Sequence, residues 1–228
     1  MSRSIRAELE SLLRADGLGH TLPSRLVLDH PSTERLPIGL PDLDTRLGGG
    51  VPVGALTEVT GAPSSGRTGM IVSLLAQTTG RDEAAAYIDT AETFDASSAA
   101  RRGVRLARLL WVRCRGRVET ALKAADAVVR GGGMRVVVLD LGDVPTRALR
   151  RIPPAACRRL QRAVEHTSTA LVLLADQTLA GAAATVTVQL HHVNPVWSGR
   201  HPTFRLLRAL QSAPFRVSGR GLGGRRVG

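Results

Sequence analysis

The stretch GAPSSGRT, residues 61–68, decides how the rest of this chain is read. Its two glycines and its last residue have the spacing G-x-x-x-x-G-[basic]-[ST] of a loop whose backbone amides wrap a phosphate group. The basic position holds Arg67, where the motif ordinarily has lysine. Lysine reaches the outer phosphates as a compact ammonium, whereas Arg67 brings a broad planar fork that needs more room. Gly61, Ser64, Ser65, Gly66, Arg67 and Thr68 therefore form a degenerate nucleotide-binding set, with weak binding of ATP and magnesium left open. Thr68 would hold the metal only if such a nucleotide binds.

Outward from the loop the pattern alternates. GALTEVTG (54–61) reads as a strand and TGMIVSLLAQT (68–78) as a helix with Met70, Ile71, Leu74 and Leu75 on one face. Strands are expected at 84–90, 108–114, 135–141 and 169–177, and helices at 94–103, 117–131 and 155–167. Strands rich in Val and Leu with few polar breaks, separated by helices, predict an α/β fold: a mostly parallel sheet covered on both faces. ATVTVQLHHV and TFRLLRALQ, joined by NPVWSGRHP, are expected to form an antiparallel hairpin closing one edge.

Three segments are expected. Residues 1–35 hold an N-terminal amphipathic helix (Ile5, Leu9, Leu12 and Leu13 at helical spacing, Ser4 as N-cap) and a linker. Residues 36–216 form the core domain, and 217–228 a disordered Gly/Arg-rich basic tail.

Composition sets the class. The 228 residues can bury one full core, and the longest apolar runs are too short to span a bilayer. The N-terminus has acidic residues and no uncharged apolar core, so neither a secretion signal nor a transit peptide is expected. Cys114 and Cys157 make no disulfide framework and are expected to be reduced, structural thiols, as in a cytosolic protein. Arg and Lys total 31 against 19 acidic residues, a net charge of +12, and Lys123 is the single lysine. Such a charge makes polyanions the expected partners. Aromatics are only 3%, which argues against binding of single strands by many stacked bases.

In order along the chain, these motifs resemble the RecA recombinase core over about 36–216. LPIGLPDLDTRLGGGVPVGALTEVTG is similar to the family's lead-in to the phosphate loop. AYIDTAETFD is similar to its second strand and catalytic turn, and MRVVVLDLGDV to the Walker B strand ending in Asp140. LVLLADQ is similar to the strand ending in a phosphate-sensing glutamine, here Gln177, and LRALQSAPFR to the closing strand. The resemblance implies a RecA-like P-loop core with a C-terminal antiparallel hairpin and an N-terminal helix.

The departures fall on one function. Placing Asp89 on the family's aspartate puts Ala91 where the catalytic glutamate belongs, although a shifted turn would let Glu92 serve. Of two basic residues that the family sends into the neighbouring subunit, Arg208 matches and Leu210 does not. The long DNA-gripping loop after Gln177 shrinks to TLAGAAA (178–184). In DVPTRALRRIPPAA, Arg147, Arg150 and Arg151 either contact DNA phosphates or form a solvated basic loop. In the tail, Arg220, Arg225 and Arg226 are further candidates for DNA contact.

This combination is similar to the ImuA family, a component of bacterial damage-induced mutagenesis cassettes. The resemblance implies no catalytic residues and a non-catalytic adaptor in translesion synthesis within the SOS response. Its implied partners are RecA, an ImuB-type polymerase subunit and, non-specifically, DNA, in the cytoplasm at the nucleoid and not at a membrane. Ile5, Leu9, Leu12 and Leu13 either dock on RecA or fold back on the chain's own core. Two alternatives remain: a RecA-like DNA-dependent ATPase or recombinase paralogue, and a SulA-like cell-division inhibitor. His20, His30, His166, His191, His192 and His201 show no metal-ligand spacing, with His191 and His192 facing opposite ways in a strand. Trp111 is expected in the core and Trp197 exposed beside Arg200.

Overall fold

An antiparallel pair, β1 (Arg35–Leu36) and β2 (Val51–Pro52), brackets a short helix, α1 (Pro41–Arg46), and leads into β3 (Leu56–Thr60). The Asp44 carboxylate closes this lead-in by accepting from the backbone N–H groups of Ile38 (2.8 Å) and Gly39 (2.9 Å). The computed structural model describes residues 34–191, 195–198, 206–210 and 215–219. The chain divides into two units, Met1–Pro31 and Ser32–Gly228. The expected N-terminal helix with Ile5, Leu9, Leu12 and Leu13 lies outside the described residues, as do Arg220, Arg225, Arg226 and the side chains of Trp197, Arg208 and Leu210.

After β3 come α2 (Arg67–Gly80), β4 (Ala85–Asp89), α3 (Ala96–Arg101) and β5 (Leu109–Arg113). Then follow α4 (Val118–Gly131), β6 (Val136–Asp140), α5 (Thr146–Leu149), α6 (Pro154–Val164) and β7 (Ala170–Ala175). The chain continues through β8 (Val186–Leu190), β9 (Pro195–Ser198), β10 (Leu206–Leu210) and β11 (Phe215–Gly219). Helix α3 is shorter than the expected 94–103. Asp95 caps it, its carboxylate accepting from Ser97 N (3.0 Å) and Ser98 N (3.2 Å), which fixes its start.

Seven strands form one sheet in the order β11-β8-β3-β7-β6-β4-β5. All its pairings are parallel except β11 on β8. Alternation explains the apolar runs. Tyr87 of β4, Val136 and Val138 of β6, and Val172 and Leu174 of β7 face one core with Met70, Ile71, Leu74 and Leu75 of α2. Ile88, Val137, Leu139, Leu171 and Leu173 face the other, with Leu122 and Val129 of α4 and Leu160 and Val164 of α6. Each side chain of this size taken fully out of water contributes roughly 1.5–3 kcal/mol, so both faces must be covered. The buried Cys114 and Cys157 are free thiols, as expected.

The structure departs from the expected arrangement at four points. β10 falls in the second strand expected for the antiparallel hairpin, but its partner is β9, which lies in the stretch expected to be the connection, while the first expected strand, β8, pairs parallel with β3 and antiparallel with β11. Residue 217, the expected start of a disordered tail, lies within β11, because that strand covers the otherwise open edge of β8. His191 falls just past β8 and is exposed, so it is not a strand residue. Trp111 is not a core residue: β5 is the outermost strand on its side, and Leu110 (43%) and Trp111 (38%) remain exposed. Among the described residues no helix is long and apolar enough to cross a membrane.

Candidate functional site

The parallel strands deliver their C-terminal ends to one edge of the sheet, where open α/β sheets place their ligand sites. The 61–68 loop sits there, between β3 and α2, and keeps its backbone form. Gly66 has φ of 91°, a left-handed conformation that a side chain would strain, and it caps α2. Gly61 is needed for a different reason: a Cβ there would lie 2.3 Å from Ser65 Oγ and 2.9 Å from the Leu190 carbonyl. Ser64 also adopts positive φ (64°), and Ser65 is buried with its hydroxyl unpartnered. Thr68 is exposed at the start of α2.

Arg67 is where the structure departs from a phosphate loop. The side chain is only 5% exposed. Nη1 donates to the Gly61 carbonyl (2.7 Å) and to the Asp176 carboxylate. Nη2 donates to the Gly142 carbonyl (3.1 Å) and to Asp143 Oδ1 (3.2 Å). Both terminal nitrogens are thus spent on protein acceptors, tying together the loops after β3, β6 and β7. The planar fork suits this three-way bridge in a way that an ammonium on a flexible stem would not.

Asp140, the Walker B match, is also engaged. Its Oδ1 accepts from Gly142 N (2.8 Å) and its Oδ2 from the Tyr87 hydroxyl. Burial pushes its carboxyl above the usual carboxylate range, and Asp143 and Asp89 add to this against the hydrogen bonds from Tyr87 and Gly142. Burial and the Asp140 charge likewise hold the Tyr87 phenol protonated. In a working site this aspartate would face a hydrated metal ion behind Thr68. Here both its oxygens are already committed to the protein.

The catalytic-turn residues also have structural partners. Asp89 is fully buried and accepts from Thr93 N, Phe94 N and Trp111 Nε1, all at 3.1 Å. This folds the 90–94 turn back onto β5, helped by ring contacts of Phe94 with Tyr87 (4.3 Å) and Trp111 (5.5 Å). Glu92, the proposed stand-in for the residue lost at Ala91, has φ of 62° and pairs with Arg113 of β5 at 3.0 Å. Its carboxylate is held at the β5 edge of the sheet, whereas the phosphate loop follows β3. Gln177 sits half-buried in the bend directly after Asp176.

The short 178–184 loop is fastened down. Glu58, fully buried in the middle of β3, accepts from Leu179 N (2.6 Å) and Ala180 N (2.8 Å). Burial, then the nearby Glu58 charge, pushes the Cys157 thiol up, so it stays neutral. Arg147, Arg150 and Arg151 are exposed and free of ion pairs among the described residues. Arg151 also lines a groove of about 740 Å³ with Val118, Leu122, Lys123, Ile152 and Arg159. No cluster that could hold a metal ion occurs among the described residues.

The loop, Asp140 and Gln177 were singled out from the sequence, whereas Glu58, Tyr87, Asp143 and Asp176 were not. The one available signal was that Asp143 and Asp176 lie within three residues of Asp140 and Gln177. Their convergence on Arg67 depends on β3, β7 and β6 being neighbours in the sheet.

A family profile, the RecA N-terminal domain, matches residues 24–178, more than half of the chain. The chain belongs to the RecA family. Among its relatives, Protein RecA of Herpetosiphon aurantiacus is 32% identical over 187 residues, covering 75% of this chain and 51% of that protein. Protein RecA of Aquifex pyrophilus is 27% identical over 187 residues, covering 75% and 53%. This RecA-family chain therefore spans about half the length of the curated relatives it matches.

Proposed function

We propose that this RecA-family chain is a non-catalytic adaptor in damage-induced translesion synthesis. It presents a RecA-like surface to RecA and to an ImuB-type polymerase subunit, and it acts at the nucleoid in the cytoplasm. One observation carries the reading: the Arg67 guanidinium is buried and paired, not held ready for a phosphate. Glu92 bound to Arg113 and Asp140 capped by Tyr87 support it. The seven-stranded sheet is retained, and among the described residues its β5 edge is unpaired, with Leu106 (44%), Leu110 and Trp111 exposed. An open strand edge with apolar neighbours suits strand addition by a partner. The +12 charge and the free Arg147, Arg150 and Arg151 favour non-specific, salt-sensitive DNA contact.

A second reading, a DNA-dependent ATPase paralogue, is favoured by the preserved loop backbone and by Thr68 standing exposed at the head of α2. Two assays on the purified full chain decide between them: pull-down of RecA and the ImuB-type subunit with and without ATP, and ATP turnover with and without single-stranded DNA. The adaptor predicts ATP-independent capture and no turnover. DNA-stimulated phosphate release that vanishes in Arg67→Ala would overturn it.

A further inference from the structure

We propose that Asp143 and Asp176 act as a built-in substitute for a ligand's phosphate: they satisfy Arg67 from within and thereby set the loop against polyphosphate binding. The inference rests on the adaptor reading and deepens it.

The cradle beneath Arg67 survives. Gly66 and Ser64 hold left-handed conformations, and the N-terminus of the 14-residue α2 opens onto the loop. Ser65 is 1% exposed, and its hydroxyl, without a partner, lies against the inner side of Gly61. An unpartnered hydroxyl beside the N-terminus of a helix suits an anion, because the free amides there point outward and the helix dipole favours negative charge. The cation of that site already has its counter-charges, since Nη1 meets Asp176 and Nη2 meets Asp143.

The local charge balance is against a ligand. Asp143 and Asp176 flank the buried Arg67, and the Asp140 carboxyl close by feels the charges of Asp143 and Asp89. A triphosphate arriving there would have to displace two carboxylates from Arg67 and then lie beside them. The Thr93 hydroxyl donates to Asp143 Oδ2 (3.1 Å), so the turn after β4 holds one of these carboxylates in place. Both have half-exposed side chains, 49% for Asp143 and 36% for Asp176, so isosteric replacement removes charge without opening the core.

The test is isothermal titration of inorganic tripolyphosphate, without magnesium, into the full-length chain. The variants are Asp143→Asn, Asp143→Asn/Asp176→Asn, and that double variant with Arg67→Ala added. The double variant is expected to bind at least about tenfold more tightly than the parent, the single variant in between, and addition of Arg67→Ala should abolish the gain. A double variant that melts cooperatively yet binds no better than the parent overturns the proposal. Should the double variant not fold, Asp143→Asn alone decides, and no gain there overturns it equally. A gain that survives Arg67→Ala also sinks it, because the anion would then sit elsewhere. ATP turnover by the parent protein would instead strike at the adaptor reading, so the two failures are distinguishable.

Discussion

Replacing Arg67 by alanine separates a structural rivet from a ligand-binding cation. The Gly61 and Gly142 carbonyls that it joins are buried, and each would lose a charge-assisted hydrogen bond worth roughly 1.5 kcal/mol. Asp143 and Asp176 are half-exposed and would be re-covered by water, so each ion pair counts for about 0.5 kcal/mol. The expected loss is therefore about 4 kcal/mol. In a unit of this size that lowers the melting temperature by about 10 °C. Arg67→Lys should lose about half as much, since an ammonium can meet only some of the four acceptors. Urea unfolding followed by far-UV circular dichroism measures both. A cation kept unpaired for a ligand behaves the other way, and its removal is neutral or stabilising. Arg67→Ala unfolding within about 0.5 kcal/mol of the parent would therefore refute the idea that this arginine serves the fold.

Three further outcomes are expected. Burial raises the Asp140 carboxyl in the folded state, so its contribution to stability is full below the usual aspartate range and falls as pH rises through the raised value. Asp140→Asn should thus gain on the parent as urea midpoints are followed from about pH 4 to pH 7, and a pH-independent difference would contradict this. Glu58→Ala leaves two amides of the 178–184 loop without their acceptor, which should cost about 2–4 kcal/mol and speed hydrogen exchange at Leu179 and Ala180, while Glu58→Gln keeps most of both. Leu110→Glu on the exposed β5 edge should change stability by less than about 1 kcal/mol yet weaken RecA capture in a pull-down, and undiminished capture would exclude this edge as the docking surface.

Much of the fold was legible in the chain because its signals are local. Buried parallel strands need apolar side chains on both faces, so VVVLD and ALVLLA announce themselves, and the spacing of Gly61, Gly66 and Thr68 fixes a strand–loop–helix turn. The RecA family relationship follows from these signals in sequence order. Pairing at the C-terminal end was less legible. The segments 186–190, 195–198, 206–210 and 215–219 are all short strands, and pairing short strands depends on which edge is open rather than on their composition. The same holds for Trp111, whose strand reads as apolar although it lies at the sheet's border.

The sequence by itself determined that the loop is present and that its cation is an arginine. Only the tertiary structure decided what the arginine does. Asp143 and Asp176 are far from it along the chain, and the sheet order β3-β7-β6 brings them to its two nitrogens. A guanidinium binds whichever acceptors surround it, and that set is a property of neighbouring strand ends, which no local pattern encodes.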